Sequence, residues 1–181
     1  MGEINPDNVQ IRAAQQADVE SIVSVLAESF IEYERLYTKQ GYAVTTPKSS
    51  VIKDRLSEGE MWVALLKGEV VGTASVVPQG EALYVRSMAI LPAARGNRIG
   101  EKLLTQIETF AIANGYERLL LSTTPFLDRA IRLYEKFGFR RNGEPPHDLF
   151  GTPLITMEKN IRNVNKQLQG HESNAKNNLK R

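Results

Sequence analysis

The sequence predicts an α/β fold built on one mixed sheet. Three observations carry this. Three apolar stretches separated by turn chemistry form a meander in the middle of the chain. Amphipathic helical stripes flank that meander. A short, wholly apolar stretch, Leu119–Leu121, sits between two helical stripes, as a buried parallel strand would.

Taken in order, Val9 and Ile11 mark a first strand, and Asp18 has the character of a helix N-cap. Ile22, Val25, Leu26, Ser29, Phe30 and Tyr33 then recur at helical spacing, which predicts an amphipathic helix over roughly 19–35. The polar stretch 36–46 shows no period and is expected to be a loop. Pro47 suits the first turn of a second helix over about 48–57. Residues 61–66 read as a strand, Lys67-Gly68-Glu69 as hairpin-turn chemistry, 70–77 as the returning strand, Pro78-Gln79-Gly80 as another turn and 82–90 as a third strand. A loop with Arg95, Gly96 and Arg98 follows Pro92. Next comes a long helix with Ile99, Leu103, Leu104, Ile107, Phe110 and Ala111 on one stripe, closed by Asn114-Gly115. After the 119–121 strand, Thr124-Pro125 is expected to open a helix that carries Ala130, Ile131, Leu133 and Tyr134 and stops at Gly138. Strands over 139–141 and 154–158, separated by a loop over 142–153, complete seven strands and four helices.

Composition narrows the chemistry. The 181 residues suit one domain, and the hydrophobic and charged fractions of 41% and 24% are those of an ordinary globular protein. The absence of cysteine excludes disulfides, a thiolate nucleophile and zinc–thiolate sites. With only His147 and His171, no metal is expected. No apolar run approaches the ~20 residues of a membrane span, and the N-terminus lacks a secretory signal, so a cytoplasmic location and no membrane partner are expected. A formal net charge of +2 does not point to a polyanion. Residues 160–181 are polar and basic, and are expected to form a tail outside a domain at 1–159, with a short helix around 164–168. The charges there are sparse and lack interleaved aromatics, so no nucleic-acid partner is expected.

The segment Met88–Leu104, MAILPAARGNRIGEKLL, carries the chemistry. A strand ends at a proline, a loop bearing arginine and glycine follows, and a helix begins. The first amides of a helix lack internal partners and the helix dipole is positive there, so the arrangement suits a phosphate-bearing ligand. Gly96 and Gly100 leave those amides open to close approach, and Arg95 and Arg98 add charge-assisted donors. The G-x-G-x-x-G spacing of dinucleotide folds is missing, as is the lysine loop of nucleotide triphosphatases.

Here the sequence resembles the GCN5-related N-acetyltransferases, the GNAT superfamily. Their Q/R-x-x-G-x-G/A motif falls on Arg95–Gly100, with Arg98 at the inner glycine position. Their A-x-x-L-Y-x-x-x-G-F block matches Ala130, Leu133, Tyr134, Gly138 and Phe139, while an asparagine often found three residues before the alanine is Leu127. The resemblance covers about residues 8–159. It implies a seven-stranded mixed sheet with a splayed strand pair. Acetyl-coenzyme A would be the cosubstrate, held by the main chain of Met88, Ala89 and Ile90 and by Arg95, Gly96, Asn97, Arg98, Ile99, Gly100 and Glu101 around its pyrophosphate. It further implies attack of a neutral amine on the thioester, with Tyr134 as the acid that protonates the departing thiolate. The amine would belong to a small molecule or peptide, and dimers are common in the family. The strand over 82–90 holds no acid past Glu81, so the base is expected to be relayed by water or distributed. Glu28 and Glu32 on the first helix and Glu144, His147 and Asp148 in the last loop are its candidates. Phe30, Tyr33 and Tyr37 could wall an acceptor site, for which Glu28, Tyr33 and His147 are the candidates. A non-catalytic sensor or scaffold that binds acetyl-coenzyme A is the competing expectation.

Overall fold

A computed structural model describes residues 9–145 and 147–161. The expected tail and its short helix therefore lie outside the described residues from position 162 onward.

Strand β1 (Val9–Ala13) pairs antiparallel with β2 (Met61–Leu66), β2 with β3 (Glu69–Gln79), and β3 with β4 (Ala82–Ile90). β4 then runs parallel to β5 (Arg118–Thr123), which pairs antiparallel with β8 (Thr152–Asn160). β6 (Arg140–Arg141) closes the far edge of β8, giving the order β1-β2-β3-β4-β5-β8-β6. β7 (His147–Leu149) forms a hairpin with the start of β8. The seven expected strands are joined by β7, which lies inside the predicted loop at 142–153.

Two apolar layers cover the sheet. On one face α1 (Val19–Phe30) and α3 (Ser49–Glu58) bury Ile22, Leu26 and Ile52 against Met61, Val63 and Ala89. On the other, α4 (Ile99–Ala113) packs Leu103, Leu104 and Ile107 with Trp62, Val85 and Leu121. Neighbours along β2 thus divide between the layers, as the period-2 alternation of a strand requires. Each buried aliphatic side chain contributes about 1.5–3 kcal/mol. α5 (Asp128–Lys136) adds Tyr134 to the second layer beside Phe139. Ile161, just past β8, is fully buried there, and its N–H donates to the Glu117 carbonyl at 2.8 Å.

Four boundaries differ from expectation for identifiable reasons. The first helix is α-helical to Phe30 and continues as a 3-10 turn over Ile31–Leu36. The expected loop at 36–46 contains α2 (Lys39–Thr45). It is nucleated by Thr38, whose hydroxyl accepts from the Gly41 N–H at 3.0 Å and donates to the Phe150 carbonyl at 2.8 Å. A seven-residue helix that buries only Gly41 shows no apolar period. Pro78 belongs to β3 because by that point the strand has outrun β2 and keeps a single neighbour. Finally, α5 begins at Asp128, after a turn in which the Leu127 N–H reaches the Thr124 carbonyl at 3.1 Å.

Asp18 stands before α1 without capping it through its side chain. Its carboxylate, 7% exposed, accepts two bonds from the Arg12 guanidinium at 2.7 and 2.8 Å and a third from the Gln15 N–H at 2.7 Å. The Arg12 pairing holds its pKa below the usual carboxylate value. Asp18→Asn is expected to cost about 1–3 kcal/mol in urea unfolding at neutral pH. The unfolded chain takes up this proton first, so the wild-type increment is present above ~3.9 and lost as pH falls through the lower folded value. Stability of the asparagine variant is expected to vary less steeply across that acid window.

Candidate active site

The site begins where β4 and β5 part. Their parallel pairing runs from Ala82↔Arg118 to Val85↔Leu121 and stops, although β4 continues to Ile90 and β5 to Thr123. A bulge accompanies the parting. Arg86 faces Ser75 and Ala89 faces Thr73, so Ser87 and Met88 together oppose one residue of β3, and Ser87 takes a positive φ of 52°. The extra residue changes which face later side chains meet. Val85, Met88 and Ile90 pack toward α4, whereas Ala89 packs with the α1 layer. Past Val85 the β5-facing edge of β4 has no strand partner among the described residues.

A cleft of about 710 Å³ occupies this opening. Of the residues expected to hold a phosphate-bearing ligand, Met88, Ala89, Ile90, Arg95, Gly96, Arg98, Ile99, Gly100 and Glu101 all line it. Asn97 does not. Its amide donates to the Ala94 and Arg95 carbonyls at 2.9 and 3.3 Å and so holds the loop in shape. Arg95 ion-pairs with Glu32 and donates to the Ser29 carbonyl at 3.0 Å, which ties the loop to α1. Arg98 immediately precedes α4 in the left-handed region, φ 58° and ψ 15°, where a side chain costs about 1–2 kcal/mol and glycine costs nothing. The glycine that motif spacing calls for at this position therefore matches the backbone found there.

Gly100 answers a packing demand as well as an access one. A Cβ added there would lie 2.5 Å from Leu133 Cδ2 and 3.3 Å from Ile90 Cδ1. Glu101 accepts from Lys136 at 2.5 Å and from Arg98 at 2.9 Å. These two cations hold its pKa down, Lys136 more than Arg98, and it in turn keeps both at the mouth near the helix N-terminus.

Tyr134 lines the deep side of the cleft, 8% exposed and tilted against Phe139 at 5.9 Å between centroids. Burial, followed by the neighbouring Tyr37 and Tyr84, pushes its pKa well above that of a free phenol, so it stays protonated. Tyr33, Phe30 and Tyr37 form a wall, with Tyr37 edge-on to Phe126 at 5.0 Å and Tyr33 stacked on it at 6.4 Å. Burial raises the Tyr37 pKa too. Glu28 is exposed on α1 and does not line the cleft. His147 is exposed on β7, with Nε2 3.5 Å from the hydroxyl of Ser122, which does line the cleft. Glu144 and Asp148 are exposed, and Asp148 accepts from the Gly151 N–H at 2.6 Å. Among the described residues, no group of three or more His, Cys, Asp or Glu side chains is placed to hold a metal, and no helix is long and apolar enough to cross a membrane.

The sequence profile described as "Acetyltransferase (GNAT) family" matches residues 22–139, well over half of the chain. The chain belongs to the GNAT family. It is similar to the uncharacterized N-acetyltransferase YjgM of Escherichia coli (strain K12), 32% identical over 145 residues that span 77% of this chain and 86% of that one. It is also similar to N-acetylaspartate synthetase of Danio rerio, 35% identical over 117 residues, 61% of this chain and only 42% of that protein. Among solved structures, the fold is shared with the PaiA N-acetyltransferase of Thermoplasma acidophilum in complex with coenzyme A, at a TM-score of 0.69 and 17% identity. That match covers 84% of this chain and 99% of that one. This GNAT protein is an acyltransferase.

Several residues lining the GNAT cleft escaped sequence reading. Arg55 on α3 and Tyr84 and Arg86 on β4 reach it from outside the two motif blocks, and Thr123 at the end of β5 and Thr124 after it lie beside it. Only the alternation along β4 could have put Tyr84 and Arg86 on one face.

Gly100→Ala is expected to destabilise the GNAT domain by about 1–3 kcal/mol in denaturant unfolding, although alanine is the better helix former. The second substitution Leu133→Ala is expected to recover part of the Gly100→Ala increment. Additive losses in the double-mutant cycle would show that the two sites do not touch.

Proposed function

We propose that this GNAT protein transfers the acetyl group of acetyl-coenzyme A to the primary amine of a small molecule or peptide. The observation that carries the reading is the opening between β4 and β5, which has the N-terminus of α4 at one end and the Tyr134 phenol within it. The family uses acetyl-coenzyme A, and the Thermoplasma neighbour of the same fold is a coenzyme A complex. The relatives are named as N-acetyltransferases and as a synthetase of N-acetylaspartate.

In this reading the unpaired edge of Met88–Ile90 holds the pantetheine arm, much as a sheet edge takes an added strand. The loop and helix start from Arg95 to Glu101 hold the diphosphate: the first-turn amides donate, Gly96 and Gly100 leave room, and Arg98 supplies charge. When bound, acetyl-coenzyme A supplies the thioester that the amine attacks. Tyr134 stands as the proton donor to the departing sulfur. The burial that raises the phenol would raise a thiolate beside it as well, so the two groups remain matched in the same apolar surroundings. Deprotonation of the incoming ammonium falls to a water relay in contact with Tyr33, Ser122 and His147, because β4 offers no carboxylate.

Thiol release from acetyl-coenzyme A over a panel of primary amines tests the assignment. Turnover on at least one amine is expected. Tight acetyl-coenzyme A binding with no turnover on any acceptor would favour a sensor instead. In Tyr134→Phe, kcat is expected to fall about a hundredfold with acetyl-coenzyme A affinity nearly unchanged. Full kcat in that variant would remove the phenol from the mechanism.

A further inference from the structure

Six cations line the cleft: Arg129 on α5 and two further sets that stand apart. At the loop end stand Arg95, Arg98 and Lys136, where the diphosphate of the proposed cosubstrate belongs. Arg55 and Arg86 line the cleft elsewhere, and Arg86 lies four residues upstream of Ile90, about 10 Å of strand because the bulge sets those four residues against three of β3. With the diphosphate assigned to the loop end, this second pair is left for another anion.

The pair is built into the fold. Arg55 comes from α3 and donates at 2.7 Å to the Ser87 hydroxyl, on the positive-φ residue of the β4 bulge. Arg86 projects from the same bulged strand, and its guanidinium meets Glu58, whose side chain is 50% exposed. Its Nε is buried without a hydrogen-bond partner among the described residues. Two adjacent guanidiniums therefore share one solvent-facing carboxylate, which leaves a net positive charge on this stretch of wall. Burial and the nearness of Arg86 lower the Arg55 pKa, and Glu58 only partly offsets them. Like charges brought together out of water are unfavourable unless an anion joins them.

We infer that Arg55 and Arg86 read a carboxylate of the acceptor, so that the amine acetylated here belongs to an amino acid or a similarly anionic small molecule. This rests on the acetyl-transfer reading of the same cleft. A singly charged carboxylate matches the charge that Glu58 leaves over, and the planar guanidinium fork suits its two oxygens. The bulge links recognition to chemistry, because the same backbone kink places Ser87 against Arg55 and turns Ala89 toward α1. A polyamine has no group to offer two arginines and would be repelled by them. The competing role, in which Arg55 does no more than pin the bulge through Ser87, predicts no selectivity for carboxylates.

The test uses the full chain with glycine, L-leucine and L-glutamate, each beside the derivative in which every carboxylate is a carboxamide, and with cadaverine as a carboxylate-free diamine. Wild-type kcat/KM is expected to favour the free acid over its carboxamide by at least about tenfold, and Arg55→Gln and Arg86→Gln are each expected to collapse that ratio through KM. Arg55→Lys, which keeps the charge and loses the fork, should fall between. Calorimetric titration with acetyl-coenzyme A separates a folding or cosubstrate defect from a selectivity defect. Equal rates on acids and carboxamides, preference for cadaverine, or an unchanged ratio in both glutamine variants would overturn the carboxylate assignment while leaving acetyl transfer standing. Free-acid binding to the acetyl-coenzyme A complex that depends on Arg55, without turnover, would sustain the recognition site and defeat the transfer reading. Failure to bind acetyl-coenzyme A would defeat both.

Discussion

The parting of β4 from β5 after Val85 is the constraint on which the rest of the site depends. A sheet interior ordinarily pairs every main-chain donor and acceptor, since an unpaired buried group costs as much as a lost hydrogen bond. Here two central strands stop pairing in mid-sheet and each keeps only its outer neighbour. Because β3 and β8 hold those outer edges, the gap does not unravel the fold. The Ser87 bulge makes the divergence possible by inserting a residue on the β4 side, which bends the strand and resets its alternation. The result is an extended main-chain edge left without strand pairing among the described residues.

Charge is distributed along that edge in a way composition conceals. A formal net charge of +2 describes the chain, yet the cleft is lined by Arg55, Arg86, Arg95, Arg98, Arg129 and Lys136 with Glu101 as the carboxylate among them. Glu32 and Glu58 pair with Arg95 and Arg86 from outside the lining. Exposed pairs of this kind contribute little to stability, about 0–1 kcal/mol, so they hold arginine side chains in place without resisting a competing anion.

The sheet was legible in the sequence because its signals are local. The apolar run over 61–66 and the strand over 82–90, the Lys67-Gly68 turn and the Asn114-Gly115 stop are each written within a few residues, and the structure places β2 and β4 at the predicted bounds. The loop over 95–100 was legible for the same reason, since strand, arginine, glycine and helix follow one another directly. Long-range features were not. α2 exists because Thr38 bonds to Phe150 and lies against Thr152, more than a hundred residues away, and β7 exists only as the partner of β8. Asp18 has the character of a cap, but Arg12 claims its carboxylate. Arg55 belongs to a short polar helix with one buried residue, and nothing in its own segment tells that it crosses to the bulge.

The bare backbone at Gly100 also sets a dimension. Leu133 of α5 sits where a side chain on α4 would be, so the two helices meet there by direct contact of side chain on main chain. Tyr134 is the next residue along. The span between the amides that open α4 and the phenol oxygen therefore runs through one close-packed crossing, in which the Leu133 side chain is the spacer. In the acetyl-transfer reading, a cosubstrate that bridges both points meets that spacing before any polar group meets its chemistry.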